Sequence, residues 1–453
     1  MFCNVPIIMG VEICAVGGYG EVGKNMTAIR VDDEVVICDM GIHLPNWIRF
    51  TETDEDIVKH SRKTLIANHA IPDDDIIEDW RKKVVAIIPG HAHLDHVGAV
   101  PFLAPRYSAP IYATPFTAEV IKTIVQDEKI DLPNEIIAVP VNGRAKVSDN
   151  ISVEFIHMTH STPHTAMVLI HTKYGGVLYG SDFKIDNTPT LGRKPNYAAL
   201  ERASKEGVIC AMVDTLYAHE HGKTPSEFIA REMLRETMLG QDYTGKALIV
   251  TTFSSHIARL RSIAEFGQKM GRRVIFLGRS LAKYAFAAQD AGIIDFGDSV
   301  EIVKYGRQVR RRLRQIEKEK EKYVIVMTGH QGEPNSVLSG IADGKFTFHF
   351  SPGDSIVFSC KVIPARINIE NRKNLEEKLV ARGVHLFTDV HVSGHGCRED
   401  IRTLVGLVAA KTIIPMHSES RQIDAFMQLA GELGYVRGKN AFPLLNTQRI
   451  TIV

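Results

Sequence analysis

The run Pro89-Gly90-His91-Ala92-His93-Leu94-Asp95-His96 constrains this chain more than any other stretch. It packs three histidines and an aspartate into six residues, directly behind Val84-Val85-Ala86-Ile87-Ile88. Five consecutive apolar residues read as a buried strand, and Pro-Gly ends it. The polar groups therefore sit on a loop at a strand tip, where a rigid sheet holds them still. Imidazole nitrogens and a carboxylate suit zinc, and also manganese or iron. One loop cannot comfortably wrap a single ion with all four groups. The alternation predicts that His91 and His93 face one metal, with Asp95 and His96 facing a second beside it. A polar loop with chance histidines is the bland alternative, and mixed-ligand spacing this tight argues against it.

The chain has 453 residues, long enough for two or three domains and a sizeable core. Its net charge of +1 supplies no global basic field, so contact with nucleic acid requires local cations. No apolar run is long enough to span a bilayer, and residues 1–10 lack the pattern of a secretory signal. The cysteines Cys3, Cys14, Cys38, Cys210, Cys360 and Cys397 are scattered, with no CxxC pair. That usage predicts buried thiols in a reducing, cytoplasmic compartment rather than disulfides or a sulfur-ligated metal.

Along the chain, strand after strand ends in a group able to bind metal. The glycine-rich stretch Gly17–Asn25 lies between two strand patterns and lacks a dinucleotide fingerprint, so it reads as a hairpin bringing backbone near the site. Val35-Val36-Ile37-Cys38 delivers Asp39, placed to orient a ligand histidine from behind or simply to form a turn. Residues 46–82 read as an insertion with a solvated acidic turn at Asp73-Asp74-Asp75. Val153-Glu154-Phe155-Ile156 leads to His160, which can close the shell of the first metal; His157 and His164 are weaker candidates. Val177-Leu178-Tyr179 leads to Asp182, whose two oxygens can bridge both ions.

A second strand–helix alternation begins after Asp214 and predicts another α/β unit with a parallel sheet. Thr224-Pro225-Ser226-Glu227 has the form of a capping box with Thr224 as N-cap. The dense charge of 310–322 reads as a solvated helix face in preference to an RNA-contacting patch. Near the end, Ser393-Gly394-His395-Gly396 places a glycine-flanked histidine before a helix, a setting in which backbone N–H groups can approach an anion. Thr412-Ile413-Ile414-Pro415-Met416 then delivers His417, able to complete the second metal's shell.

The HAHLDH loop with a later strand-end His and Asp resembles the metallo-β-lactamase superfamily. Asp214, Ser393-Gly394-His395-Gly396 and Ile414-Pro415-Met416-His417-Ser418-Glu419 look like the three additional motifs of the β-CASP nucleases. Thr251-Thr252-Phe253-Ser254-Ser255 and Thr328-Gly329-His330-Gln331-Gly332-Glu333-Pro334 are similar to the ribonuclease J group in particular. The resemblance implies an α/β fold: an αββα metallo-β-lactamase sandwich with an inserted α/β β-CASP domain. The sandwich would comprise 1–215 and 393–453, and the insertion 216–392.

The resemblance also implies residue roles. His91, His93 and His160 would hold one Zn2+; Asp95, His96 and His417 the other, with Asp182 bridging and Mn2+ as a substitute. Asp39 would stand behind the ligands, and Asp214 would orient His395 or His417. Asp95, Asp182, Asp214 and His395 would be catalytic, His395 as general acid. Ser393, Gly394, His395 and Gly396, with Ser254, Ser255 and His330, would cradle phosphates. His164 stands where the family often has Asp, and Ser418 where Gly is common. The stretch after His417 is too short for the C-terminal domain through which longer bacterial relatives dimerise, although a homodimer is still the assembly the resemblance admits.

The expected activity is metal-assisted hydrolysis of single-stranded RNA in the cytoplasm, 5′ to 3′ from a 5′-monophosphate end, with internal cleavage as a second activity. Two rivals fit parts of the pattern. A hydrolase of small esters or thioesters would explain the ligands but not the insertion. A non-catalytic RNA-binding scaffold would not need so complete a ligand set.

Overall fold

Alternation along the strands builds the layers. In Glu34–Cys38, Val35 and Ile37 face one way while Val36 and Cys38 face the other, and both sides are buried. Val84–Ile88 repeats the pattern, with Ile87 outward and Ala86 and Ile88 inward. Such strands are apolar on both faces because each face needs a cover. The computed structural model describes residues 9–53 and 60–453. Most of the stretch assessed for a secretory signal, Cys3, and part of the 46–82 insertion lie outside the described residues.

Two sheets stack face to face. The first has seven strands, ordered Arg449–Thr451, Val11–Gly17, Met26–Val31, Glu34–Cys38, Val84–Ile88, Ile111–Ala113, Ile136–Ala138. The second has six, ordered Thr412–Met416, Val208–Asp214, Gly175–Tyr179, Ala166–Thr172, Ser152–His157, Arg144–Lys146. Their inner faces share one core, in which Ile13, Val36 and Ile88 meet Phe155, Val168 and Met212. Helix Pro115–Glu128 covers the outside of the first sheet through Phe116, Val120 and Ile124. Helices Tyr197–Glu206, Arg398–Val408 and Ser420–Glu432 cover the second through Leu200, Leu404 and Phe426. This is the expected αββα sandwich. Strands from distant parts of the chain share each sheet: Thr412–Met416 pairs in parallel with Val208–Asp214, and Arg449–Thr451 pairs with Val11–Gly17.

A third sheet comes from the intervening sequence. Its six strands are all parallel, ordered Val300–Val303, Arg273–Leu277, Tyr323–Met327, Leu248–Thr251, Ser355–Phe358, His385–Phe387. One face packs with helices Ile257–Lys269 and Arg279–Asp290, and its core runs on into the sandwich's outer helix layer, where Tyr284 meets Phe116. The arginine-rich helix Gly306–Ile316 packs Val309, Leu313 and Ile316 on the other face and turns Arg307, Arg311 and Arg314 to solvent, as its charge pattern predicts. Among the described residues no helix is long and apolar enough to cross a membrane.

Two local expectations are corrected. The N-cap of helix Glu227–Leu239 is Ser226, whose side chain accepts from Phe228 N; the helix starts two residues later than a Thr224 cap would require. Thr224 instead gives its hydroxyl to the His395 carbonyl and its N–H to Asp400 Oδ2, because long-range partners outcompete the local cap. Asp74 is not solvated: it is buried and takes Arg62 at 2.8 Å through Nε, Arg106 at 3.1 Å and the Tyr107 hydroxyl at 2.8 Å.

Beside the apolar contact of Tyr284 with Phe116, the join between the third sheet and the sandwich has a polar part. Glu227 receives Arg259 through both oxygens, at 2.6 and 2.8 Å, with both side chains buried. Arg259 also donates to the Ser359 hydroxyl at 2.6 Å, and the Glu227 N–H donates to Asp186 Oδ2 at 2.8 Å. Burial works against the Glu227 charge, but Arg259 and then His256 outweigh it and hold the carboxyl well below its usual range. A depressed folded-state value stabilises the fold above the ordinary carboxylate range of about 4.3, and the contribution is lost as pH falls through the folded-state value. Glu227→Gln is expected to cost about 3–5 kcal/mol at pH 7 by leaving Arg259 uncompensated. It should also flatten the acid limb of stability. Urea midpoints at pH 7 and at pH 3 check both effects.

Candidate active site

Strand tips deliver the polar groups to one place. Loop 89–96 leaves Val84–Ile88, Asp39 follows Glu34–Cys38, Asp182 follows Gly175–Tyr179, Asp214 ends Val208–Asp214 and His417 follows Thr412–Met416. The turns are tight. Asp39, Ser181 and His417 have φ of 61°, 46° and 56°, in the left-handed region that non-glycine residues seldom occupy. Gly90 permits a close approach, since a Cβ there would lie 2.4 Å from Ser181 Oγ.

Two tetrads result. One ligand atom from each of His91, His93, His160 and Asp182 lies within 4.8 Å of the others, and the same holds for Asp95, His96, Asp182 and His417. Asp182 belongs to both. Its Oδ2 lies 3.2 Å from His96 Nε2, 3.5 Å from His91 Nε2, 3.7 Å from His160 Nε2 and 3.8 Å from His395 Nε2. Its Oδ1 is buried without a hydrogen-bond partner. His93 Nδ1 lies 3.1 Å from both His91 Nε2 and His160 Nε2.

The donor set fits divalent metal. Burial first, then the crowding of neighbouring imidazoles, pushes His91 and His160 well below their ordinary value. His93 is pushed to about 4, with burial again the largest cause. These three rings are neutral near pH 7, the state a metal needs, whereas Asp182 and then Asp39 overcome burial and drive His96 well above its ordinary value. Burial opposes ionisation of Asp182, but His417, His96 and His395 overcome it and hold the carboxyl well below its usual range. An ionised, buried oxygen without a donor, facing converging lone pairs, is a cation site in its chemistry.

Each ring is held from behind. His96 Nδ1 lies 2.6 Å from Asp39 Oδ2, and Asp39 also takes the Tyr179 hydroxyl at 2.6 Å and the Gly90 N–H at 2.8 Å. His91 Nδ1 is 3.1 Å from Ser181 Oγ, His160 Nδ1 is 2.7 Å from the Gly394 carbonyl, and His417 Nδ1 is 3.1 Å from Asn25 Oδ1. Of the two partners left open for Asp214, the structure selects His395, with Nδ1 2.8 Å from Asp214 Oδ2. Burial disfavours charge on His395, but Asp214 and then Asp182 lift it to about 9. Its ring stacks on His417 at 5.5 Å.

Three matches follow the chain in order. The metallo-beta-lactamase superfamily matches residues 19–212, the ribonuclease J beta-CASP domain 245–375, and the Zn-dependent metallo-hydrolase RNA specificity domain 384–442. Over 97% of its length the chain is 42% identical to Ribonuclease J of Methanocaldococcus jannaschii, covering 98% of that protein. The chain belongs to the ribonuclease J family. Ribonuclease J of Pyrococcus abyssi is 41% identical over 95% of each chain. Ribonuclease J of Thermus thermophilus is 30% identical over 93% of this chain and 70% of the relative. A crystal structure of a protein of unknown function from Enterococcus faecalis shares the fold, with TM-score 0.65 and 15% identity over 98% of this chain and all of that one.

Within this ribonuclease J chain, the residues expected to cradle phosphate have partners of their own. The Gly396 N–H is given to the Phe183 carbonyl at 2.6 Å and the His395 N–H to Ser393 Oγ at 3.0 Å, so neither is free for an anion. Gly394 offers its carbonyl to His160. The N-terminus of helix Arg398–Val408 is filled by its own Asp400, by the Glu220 carbonyl and by the Gly222 carbonyl. Ser255 bonds His93. Ser254 is buried, and His330 packs on Phe253 beside Glu333, with no contact to the cluster. His157 and His164 bond Arg193 and Phe116 backbone, apart from the tetrads. Asn25, Tyr179 and Ser181 are new to the site. Asn25 closes the glycine-rich hairpin and Ser181 adjoins Asp182, so their positions were the only available signal.

Replacing Asp182 with Asn is expected to cut divalent-metal retention more than tenfold, measured as metal per chain after dialysis. Full loading of that variant would show the cluster to be a hydrogen-bonded knot instead.

Proposed function

We propose that this chain is a two-metal ribonuclease that hydrolyses single-stranded RNA and leaves 5′-phosphate products. The observation that carries the reading is the pair of tetrads sharing Asp182, with the His395–Asp214 pair set against them. In this reading His91, His93 and His160 hold one cation and Asp95, His96 and His417 the other, with Asp182 between. Zinc suits the imidazole-rich set and manganese the carboxylates. What bound divalent cations supply is Lewis acidity, which offsets charge on phosphoryl oxygens and makes water nucleophilic near neutral pH.

The chain's own groups do the rest. Water adds to phosphorus, its proton passes to the partly exposed Asp95 carboxylate, and the P–O bond to the leaving ribose breaks. His395, charged near pH 7, gives its Nε2 proton to that departing oxygen, while Asp214 keeps the ring oriented through Nδ1. Ser393 steadies the His395 turn. The names of the relatives support RNA as substrate. Motif resemblance supports a 5′-to-3′ exonuclease preferring a 5′-monophosphate, with internal cleavage as a second activity.

In this reading residues 1–215 and 393–453 form the catalytic sandwich and 216–392 the RNA-covering insertion, in a cytoplasmic enzyme for which the resemblance admits a homodimer. The five described cysteines are free thiols, as a reducing compartment allows.

Assays on 5′-labelled and 3′-labelled RNA, with and without chelator, test the reading. Mononucleotide release from the 5′ end that chelator abolishes is the expected result. Thioester turnover without RNA cleavage would favour the small-molecule rival, and binding without turnover the scaffold. His395→Ala should lower kcat about 10²–10⁴-fold with metal content unchanged. Loss of metal in that variant would contradict its role as acid.

A further inference from the structure

Of the five candidate ligand histidines, His93 is the one whose orienting partner comes from the third sheet. His91, His96, His160 and His417 are held by Ser181, Asp39, Gly394 and Asn25, all on sandwich segments. His93 is also the ring turned the other way. Its Nδ1 faces the cluster and its Nε2 faces out, 3.1 Å from Ser255 Oγ. For Nδ1 to present a lone pair, the ring proton must sit on Nε2, and it does so where Nε2 has an acceptor. Ser255 supplies that acceptor; Ser161 Oγ is more distant, at 3.4 Å.

Ser255 is itself fixed by the join between sheets. It lies buried between strand Leu248–Thr251 and helix Ile257–Lys269. Its neighbour His256 approaches Glu227 Oε2 at 3.3 Å, and Glu227 holds Arg259. The Glu227 N–H donates to Asp186, and the Asp186 N–H donates to Thr159 Oγ1, next to His160. A ring of bonds therefore leaves one metal tetrad through His93 and returns to it beside His160. Tyr284, on helix Arg279–Asp290, adds a 3.4 Å contact to the Ala92 carbonyl inside the HAHLDH loop.

We propose that Ser255 is a positioning residue that holds His93 in the Nε2–H tautomer, so that metal retention depends on how the third sheet is seated on the sandwich. The proposal rests on reading the tetrads as a metal centre. It assigns Ser255 to the metal shell rather than to substrate phosphate.

Zinc affinity by chelator competition, on the full chain, is the test. Ser255→Ala should weaken one of two zinc equivalents 10–100-fold, as loss of an orienting partner does, with thermal midpoint and circular dichroism little changed. The second equivalent should keep its affinity. Glu227→Gln, which loosens the seating at a cost in stability, should also weaken the first equivalent when read at a temperature where the variant is still folded. Combined with Ser255→Ala it should add no further loss, because both act through one contact. Unchanged zinc affinity in Ser255→Ala, with a raised KM for RNA, would overturn the proposal in favour of a phosphate contact. Equal weakening of both equivalents, or additive losses in the double variant, would overturn the coupling. A wild-type chain that binds no divalent metal would remove the metal-centre reading itself; a wild-type chain that loads beside an equally loaded Ser255→Ala variant overturns this inference alone.

Discussion

Asp182 puts a buried negative charge where four imidazole nitrogens stand within 3.8 Å of one oxygen and nothing donates to the other. An anion removed from water needs positive charge nearby; His96 and His395 supply part of it, and the neutral His91 and His160 rings supply none. The surrounding architecture is arranged to keep that deficit in place. Strands from both sheets aim their tips at it, and three tip residues accept left-handed backbone to do so. The stiffness of the two-sheet core lets such strained turns persist.

The cavity also sorts its histidines into two kinds. His91, His93 and His160 lie where burial and like neighbours disfavour protonation. His395, a few ångströms away, is driven the other way by Asp214 and then Asp182, and His96 by Asp182 and then Asp39. Environments that push similar groups apart are how one pocket can hold electron-pair donors and a proton donor together.

Much of this was legible in the sequence because it depends on local order. Apolar runs ending in His or Asp gave the strand tips, and tight spacing in the HAHLDH loop gave the first candidate ligands. The parallel third sheet followed from its strand–helix rhythm. What sequence could not weigh was competition between near and distant partners. Thr224 has every local reason to cap a helix, yet it serves the His395 and Asp400 turn. Gly396 has the small size expected of an anion loop, yet its N–H is already taken by Phe183. Asp74 sits in an acidic triplet that looks solvated, but it is buried and paired with Arg62 and Arg106, outside its own turn. Asn25, Tyr179 and Ser181 are common polar residues without a distinctive pattern, so only three-dimensional placement distinguishes them.

The separation of Thr412–Met416 from its sheet neighbour Val208–Asp214 has a consequence for biosynthesis. Asp182 and His417 are 235 positions apart, and the whole third sheet is translated in the interval. At about 5–20 residues per second, a ribosome needs roughly 10–50 s to cover that distance. For most of that time the nascent chain carries the HAHLDH loop, His160 and Asp182 but neither His395 nor His417. A half-made polypeptide therefore holds every member of one tetrad and all but His417 of the other.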